Sequence, residues 1–179
     1  MAEAAADPVL VTERFELRPL TPQDATERYL GWLAEEEARR YILAARGTRT
    51  LDELRAFIAA RSGRPDVLFL GIFERGSGRH VGNIKYEPID AANGSAEMGI
   101  LIGEPDWRGR GVAREVIAAS ARWLHEHRGV SRVLLGVEKE NEAALAAYLR
   151  AGFRATGTIR DPRAQGEIVR MVLEADAAA

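Results

Sequence analysis

A chain of 179 residues is the length of one ordinary domain, enough to bury a core without disulfides or structural metals. Hydrophobic residues make up 46% and charged residues 29%, with a formal net charge of -2, far from the disordered and membrane-embedded classes. With no cysteine, disulfides, thiolate metal sites and a cysteine nucleophile are excluded. Acidic residues interrupt the basic ones, as in Glu35, Glu36, Glu37 followed by Arg39 and Arg40, so no one-sign stripe marks a nucleic-acid partner. That run reads as a solvated helix face. No apolar stretch reaches membrane-spanning length and the start is Ala-rich rather than basic-then-apolar, so a cytoplasmic location and no membrane partner are expected.

Residues 1–8 and 176–179 lack periodicity and are expected as flexible tails around a single domain over 9–175. Phe15–Leu20 alternates apolar and charged residues as a half-buried strand does, with Pro19 hinting at an edge. A helix is expected from Thr21-Pro22-Gln23-Asp24, with Tyr29, Leu30 and Leu33 as its apolar face. A second opens on the capping box Thr50 and Glu53 and runs to Ser62-Gly63. Three antiparallel strands follow: Val67–Phe73, His80–Tyr86 and Ser95–Ile102, with turns at Gly76-Ser77-Gly78 and Asn93-Gly94. Gly111–Arg128 is an amphipathic helix closed by Gly129. The nearly all-apolar Arg132–Val137 predicts a strand parallel to the one ending at Ile102. A helix over Asn141–Arg150 closed by Gly152, then strands Phe153–Ile159 and Glu167–Leu173, complete an α/β fold on a mixed sheet of about seven strands with flanking helices.

Between a strand and a helix start, Trp107-Arg108-Gly109-Arg110-Gly111-Val112-Ala113 places unpaired N–H groups and a helix dipole where an anion binds. Gly109 and Gly111 clear the approach, Ala113 keeps the first turn slim, and Arg108 and Arg110 add positive charge. A dinucleotide-binding oxidoreductase is the rival, with Glu138 as a ribose-binding acid. Against it stand the long connection from Ile102 to Gly109 and the antiparallel strands upstream. No Gly-Lys-Ser/Thr follows, so a nucleoside-triphosphate loop is excluded.

Arg108-x-x-Gly111-x-Ala113, following a strand placed like the family's fourth, resembles the acetyl-CoA signature of the GNAT superfamily of N-acetyltransferases. Downstream, Asn141-x-x-Ala144-x-x-x-Tyr148-x-x-x-Gly152-Phe153 is similar to the pattern on that family's last helix. The resemblance covers about Phe15 to Leu173, and the opening Arg14-Phe15-Glu16-Leu17-Arg18-Pro19-Leu20 looks most like the RimJ/RimL-type branch. It implies the GNAT-like acyl-CoA N-acyltransferase fold, in which two splayed strands admit the pantetheine arm of acetyl-CoA to pair near Ile100, Leu101 and Ile102. It further implies acetyl-CoA as cosubstrate without a metal, a small-molecule or peptide amine as acceptor, and a homodimer as a common state among relatives.

Acetyl transfer to an amine needs a neutral amine, stabilisation of the carbonyl oxygen and a proton for the departing thiolate. Tyr148 matches the family tyrosine that protonates the sulfur, although an aromatic residue at helical spacing with Leu145 and Leu149 also fits a core position. Glu97 is the favoured base, with Glu138 or a water chain as alternatives. Asn141 suits both a helix cap and a contact to the pantetheine amides. His125 and His127 face different ways on a helix, and His80 reads as a solvated residue beside a turn. The acceptor is expected against the first helices and around Trp32 and Tyr86: an amino sugar, a protein N-terminus, an antibiotic or another small amine. An acyl-CoA sensor without turnover is the remaining alternative.

Overall fold

The computed structural model describes residues 7–164 and 166–175. Its strands are β1 (Leu10–Val11), β2 (Phe15–Pro19), β3 (Leu68–Glu74), β4 (His80–Asp90), β5 (Ser95–Ile102), β6 (Arg132–Glu138), β7 (Arg154–Arg160) and β8 (Glu167–Glu174). Its helices are α1 (Glu27–Ala34), α2 (Glu36–Tyr41), α3 (Leu43–Gly47), α4 (Leu51–Ala59), α5 (Val112–Arg128) and α6 (Glu142–Arg150). The strands form one mixed sheet in the order β1-β2-β3-β4-β5-β6-β8-β7. Every neighbouring pair is antiparallel except β5 and β6.

Eight strands rather than about seven are present among the described residues, because Leu10 and Val11 pair with Leu17 and Glu16. A two-residue strand leaves no alternation to read. The helix expected from Thr21 is also divided. The Thr21 N–H and hydroxyl both donate to Asp24, at 2.7 and 3.0 Å, closing a short 3-10 turn over Pro22–Asp24. Thr26 then caps α1 by accepting from the Tyr29 N–H at 3.2 Å. The capping box of α4 forms as expected: Thr50 accepts from the Glu53 N–H at 3.1 Å and Glu53 accepts from the Thr50 N–H at 3.0 Å. Most of the expected tails lie outside the described residues. Asp7 accepts from Arg128 at 3.2 Å, and Ala175 is buried with its N–H on the Ser131 carbonyl.

Two apolar layers enclose the sheet. On one face Val116, Ile117 and Leu124 of α5 cover Phe15, Leu70, Ile84 and Leu135. There the Tyr86 hydroxyl and Ser120 Oγ share a hydrogen bond of 2.8 Å that ties β4 to α5. On the other face α1 and α4 bury Tyr29, Trp32, Leu54 and Ile58. Trp32 lies flat against the chain just past β5: a Cβ on Gly103 would stand 2.0 Å from its ring. Its indole N–H donates to the buried Glu104 at 3.0 Å, and Arg28 pairs with the same carboxylate.

Overpacking at such a contact costs about 1–3 kcal/mol. Gly103→Ala is therefore expected to lower the melting temperature by roughly 2–12 °C in a domain of this size. Thermal denaturation followed by circular dichroism checks this, and an unchanged transition would contradict the tight seat of Trp32.

Candidate active site

β5 pairs with β6 only over Ser95–Glu97 and Arg132–Leu134. Beyond that level β5 stays on β4 as far as Ile102, while β6 stays on β8 as far as Glu138. The two strands therefore diverge and leave a gap in the sheet. In β4 the register slips so that Glu87 and Pro88 together face Glu97, a bulge that bends the strand at the level where the pairing stops. The Gly103 N–H bonds to Val81 on the β4 side, so ladder alternation turns the N–H and C=O groups of Ile100 and Ile102 toward the gap.

A cleft of about 790 Å³ fills this gap, within the range of small-molecule sites. Glu97, Ile100, Leu101, Ile102, Arg108 and Ala113 line it from one side; Glu138, Asn141 and Tyr148 line it from the other. Leu101 packs toward the α1–α4 layer, and Ile100 and Ile102 toward the α5 layer.

The loop before α5 forms because Gly109 and Gly111 take left-handed conformations, φ 71° and 74°, that side-chain-bearing residues rarely adopt. Gly111 is the N-cap of α5, leaving the first-turn N–H groups without helical acceptors. The loop is fixed from behind. Glu115 accepts from Thr12 Oγ at 2.6 Å, the Arg14 N–H at 2.8 Å and Arg14 Nε at 2.7 Å, while Arg14 Nη1 donates to the Arg110 carbonyl at 2.9 Å. Burial alone would raise the Glu115 carboxyl, but these donors hold it below the usual range.

Not every loop residue reaches the cleft. Val112 is buried in the core, so its backbone alone faces the loop. Arg110 lies over the Trp107 ring at 5.0 Å and donates to the Asp106 carbonyl. Arg108 lines the cleft, yet its charge is committed: Nε donates to the Ile102 carbonyl at 2.9 Å, and Nη2 to the Gly103 carbonyl at 3.0 Å and Glu35 at 2.8 Å. It closes the end of β5 and ties it to the junction of α1 and α2.

On the opposite wall Asn141 caps α6 by accepting from the Ala144 N–H at 3.2 Å. Two turns on, the Tyr148 ring packs against Phe153, its centroid 5.7 Å away. Its hydroxyl has no hydrogen-bond partner among the described residues, and burial pushes it up to about 12. Glu97 accepts from Arg170 at 2.6 Å. Arg170 comes from β8 and reaches Glu97 across β6, over Gly136, where a Cβ would approach its Nη1 to 3.2 Å and Ile168 to 2.8 Å. Glu138 is 7% exposed, and its Oε2 has no hydrogen-bond partner among the described residues.

Trp32 and Tyr86 are themselves core residues, 4% and 0% exposed, while the segments around them line the cleft through Glu35, Glu37, Lys85, Glu87 and Pro88. From the first helices α2–α3 also reaches the cleft, through Ala38, Ile42 and Arg46. The expectation of a solvated His80 is corrected. His80 is packed among Tyr29, Trp32 and Phe73, with Nε2 2.8 Å from Asn83 Oδ1, and burial lowers its imidazole from the usual value. Residues missed from sequence are Arg170, Gly136 and Glu35. The one signal was a lone glycine inside the apolar strand β6.

Residues 14–154 match the Acetyltransferase (GNAT) domain. The chain is 28% identical over 155 residues to the uncharacterized N-acetyltransferase YoaA of Bacillus subtilis, covering 86% of each. Among solved structures it shares its fold with spermidine N-acetyltransferase from Vibrio cholerae in complex with CoA and spermine, at a TM-score of 0.79 and 20% identity over 92% of this chain and 98% of that one. It also shares it with RimL, a ribosomal alpha-N-protein acetyltransferase in complex with coenzyme A, at 0.83 and 14% over 95% and 99%. The antiparallel run β2–β5 leaves no parallel dinucleotide-binding sheet for the rival reading. Since the family match takes in the loop, both walls of the cleft and Tyr148, the chain belongs to the GNAT acetyltransferases and is an acetyl-CoA-dependent N-acetyltransferase.

Proposed function

We propose that the protein acetylates a primary amine of a small molecule or peptide, with both substrates bound together in the cleft and the amine attacking the thioester directly. The observation that carries this reading is the unpartnered Tyr148 hydroxyl opening on the gap between β5 and β6. Acetyl-CoA supplies the activated acetyl group. Its pyrophosphate fits the N–H groups of Gly109–Ala113, where the two left-handed glycines present backbone rather than side chain. Its pantetheine amides fit the open edge at Ile100–Ile102 and the Asn141 side chain, which supply donors and acceptors that the sheet leaves unused.

In this reading Tyr148 is the general acid, giving its proton toward the departing sulfur. Glu97 is the base, its carboxylate steadied by Arg170 on the floor of the cleft. A position in the RimJ/RimL-type branch is supported by the likeness to RimL and by the opening segment Arg14–Leu20. The named neighbours act on a polyamine and on protein N-termini, and both are amine acceptors of the kind proposed.

A positioned general acid contributes about 10²–10⁴-fold. Tyr148→Phe is therefore expected to lower kcat on a good acceptor by about 10²-fold or more with the KM for acetyl-CoA little changed. Steady-state assays of thiol release check this, and unchanged turnover would remove the role. The pH dependence has a defined sign. The protonated hydroxyl is the donor, and because its folded value of about 12 lies above the ordinary 10, the donor stays intact through pH 10 and is lost only as pH nears 12. Alkaline spectrophotometric titration of the native protein beside Tyr148→Phe should show one late phenolate step missing from the variant; a missing step near 10 would contradict the burial argument.

A further inference from the structure

We propose that Arg14 is a positioning residue for the acetyl donor: it locks the peptide between Arg110 and Gly111 so that the Gly111 N–H is presented to the pyrophosphate. The inference rests on the reading above that the loop Gly109–Ala113 receives that group.

Arg14 opens the segment Arg14–Leu20, several of whose members serve the fold alone. Phe15 and Leu17 are fully buried, and Arg18 pairs with Asp24 at 2.8 Å over the Phe73 ring. Arg14, just ahead of β2, instead reaches far along the chain. Its main-chain N–H and its Nε donate to Glu115 at 2.8 and 2.7 Å, and Nη1 donates to the Arg110 carbonyl at 2.9 Å. The guanidinium also lies over the Phe15 and Trp107 rings, 5.2 and 5.8 Å from their centroids. A rigid planar fork makes both contacts at once, which a lysine ammonium cannot do.

The grip on the Arg110 carbonyl has a consequence for the next residue. In a trans peptide the carbonyl oxygen of one residue and the N–H of the following one point to opposite sides. With its oxygen held by Arg14, this peptide turns the Gly111 N–H away from the brace. There it has no hydrogen-bond partner among the described residues, and it stands at the N-cap of α5 beside the free first-turn N–H groups. The lock is needed because of the glycine itself. Gly111 takes a left-handed conformation at φ 74°, but glycine populates either sign of φ with similar ease, so the peptide before it can turn over. Turned over, it would present a carbonyl oxygen to the anion. Arg14 does not line the cleft, so it acts on the donor through the loop. The arginines inside the loop are committed elsewhere, Arg108 to the end of β5 and Glu35, Arg110 to Trp107 and the Asp106 carbonyl.

Calorimetric titration with CoA and with pantetheine, which lacks the phosphates, reads this role without turnover. The native protein is expected to bind CoA more tightly than pantetheine; equal binding would remove the loop reading and this proposal with it. Arg14→Ala, checked for its thermal transition, should bind CoA at least about tenfold more weakly and pantetheine within about twofold of the native protein. Unchanged CoA affinity in that variant would overturn the role of Arg14 and leave the loop reading standing. So would an equal loss for both ligands, which marks general damage to the cleft. Arg14→Lys keeps the charge beside Glu115 without the fork and should still lose about fivefold or more in CoA affinity; native affinity there would mean that charge alone suffices, against the proposal. The native protein gives a test that needs no variant. The Gly111 amide resonance should move with CoA and not with pantetheine, and no response to CoA would contradict the orientation assigned to that N–H.

Discussion

The parting of β5 from β6 after three paired residues is the constraint on which the site depends. A parallel ladder continued to Ile102 would satisfy the backbone of both strands and close the sheet. Instead the bulge of Glu87 and Pro88 bends β4 and β5 at the level of Glu97, and the N–H and C=O groups beyond are left facing a cleft. Unpaired backbone in the middle of a sheet is costly unless water or a ligand pairs with it. An extended ligand with amide groups of its own is the natural complement, and the adjoining loop, with two left-handed glycines and the first turn of α5, is suited to an anionic end.

The surrounding charges hold this opening in shape. Arg14 and Glu115 brace the loop from behind, and Arg108 joins the end of β5 to Glu35 between α1 and α2. On the floor, Arg170 reaches Glu97 across β6 over Gly136, where a Cβ would crowd Ile168 and the guanidinium. The ion pair therefore links three strands, β8, β6 and β5, where the sheet begins to open. The Tyr148 hydroxyl differs from these groups in having no hydrogen-bond partner among the described residues.

Much of the architecture was legible because it is written in local chemistry. Hydrophobic periodicity, the Thr50–Glu53 box, and Gly111 and Gly129 at the two ends of α5 each act over a few residues. The turn before α5, with Gly109 and Gly111 in left-handed conformations, was legible for the same reason. Interactions between residues distant in the chain were not: Arg170 with Glu97 spans 73 residues, and Arg108 with Glu35 also 73. His80 was read as solvated because its place beside a turn is local, whereas Tyr29 and Trp32, which bury it, come from helix α1, distant in the chain. Glu138 was read as a ribose acid or a spare base.

Residue-resolved hydrogen exchange with and without CoA tests the central claim most directly, that the gap between β5 and β6 receives the donor. The account predicts that saturating CoA slows exchange at the amides of Ile100 and Ile102 and of the loop from Gly109 to Ala113, with little change at Leu101, whose amide already faces β4. Protection confined to other parts of the chain, with Ile100 and Ile102 unaffected, would contradict it.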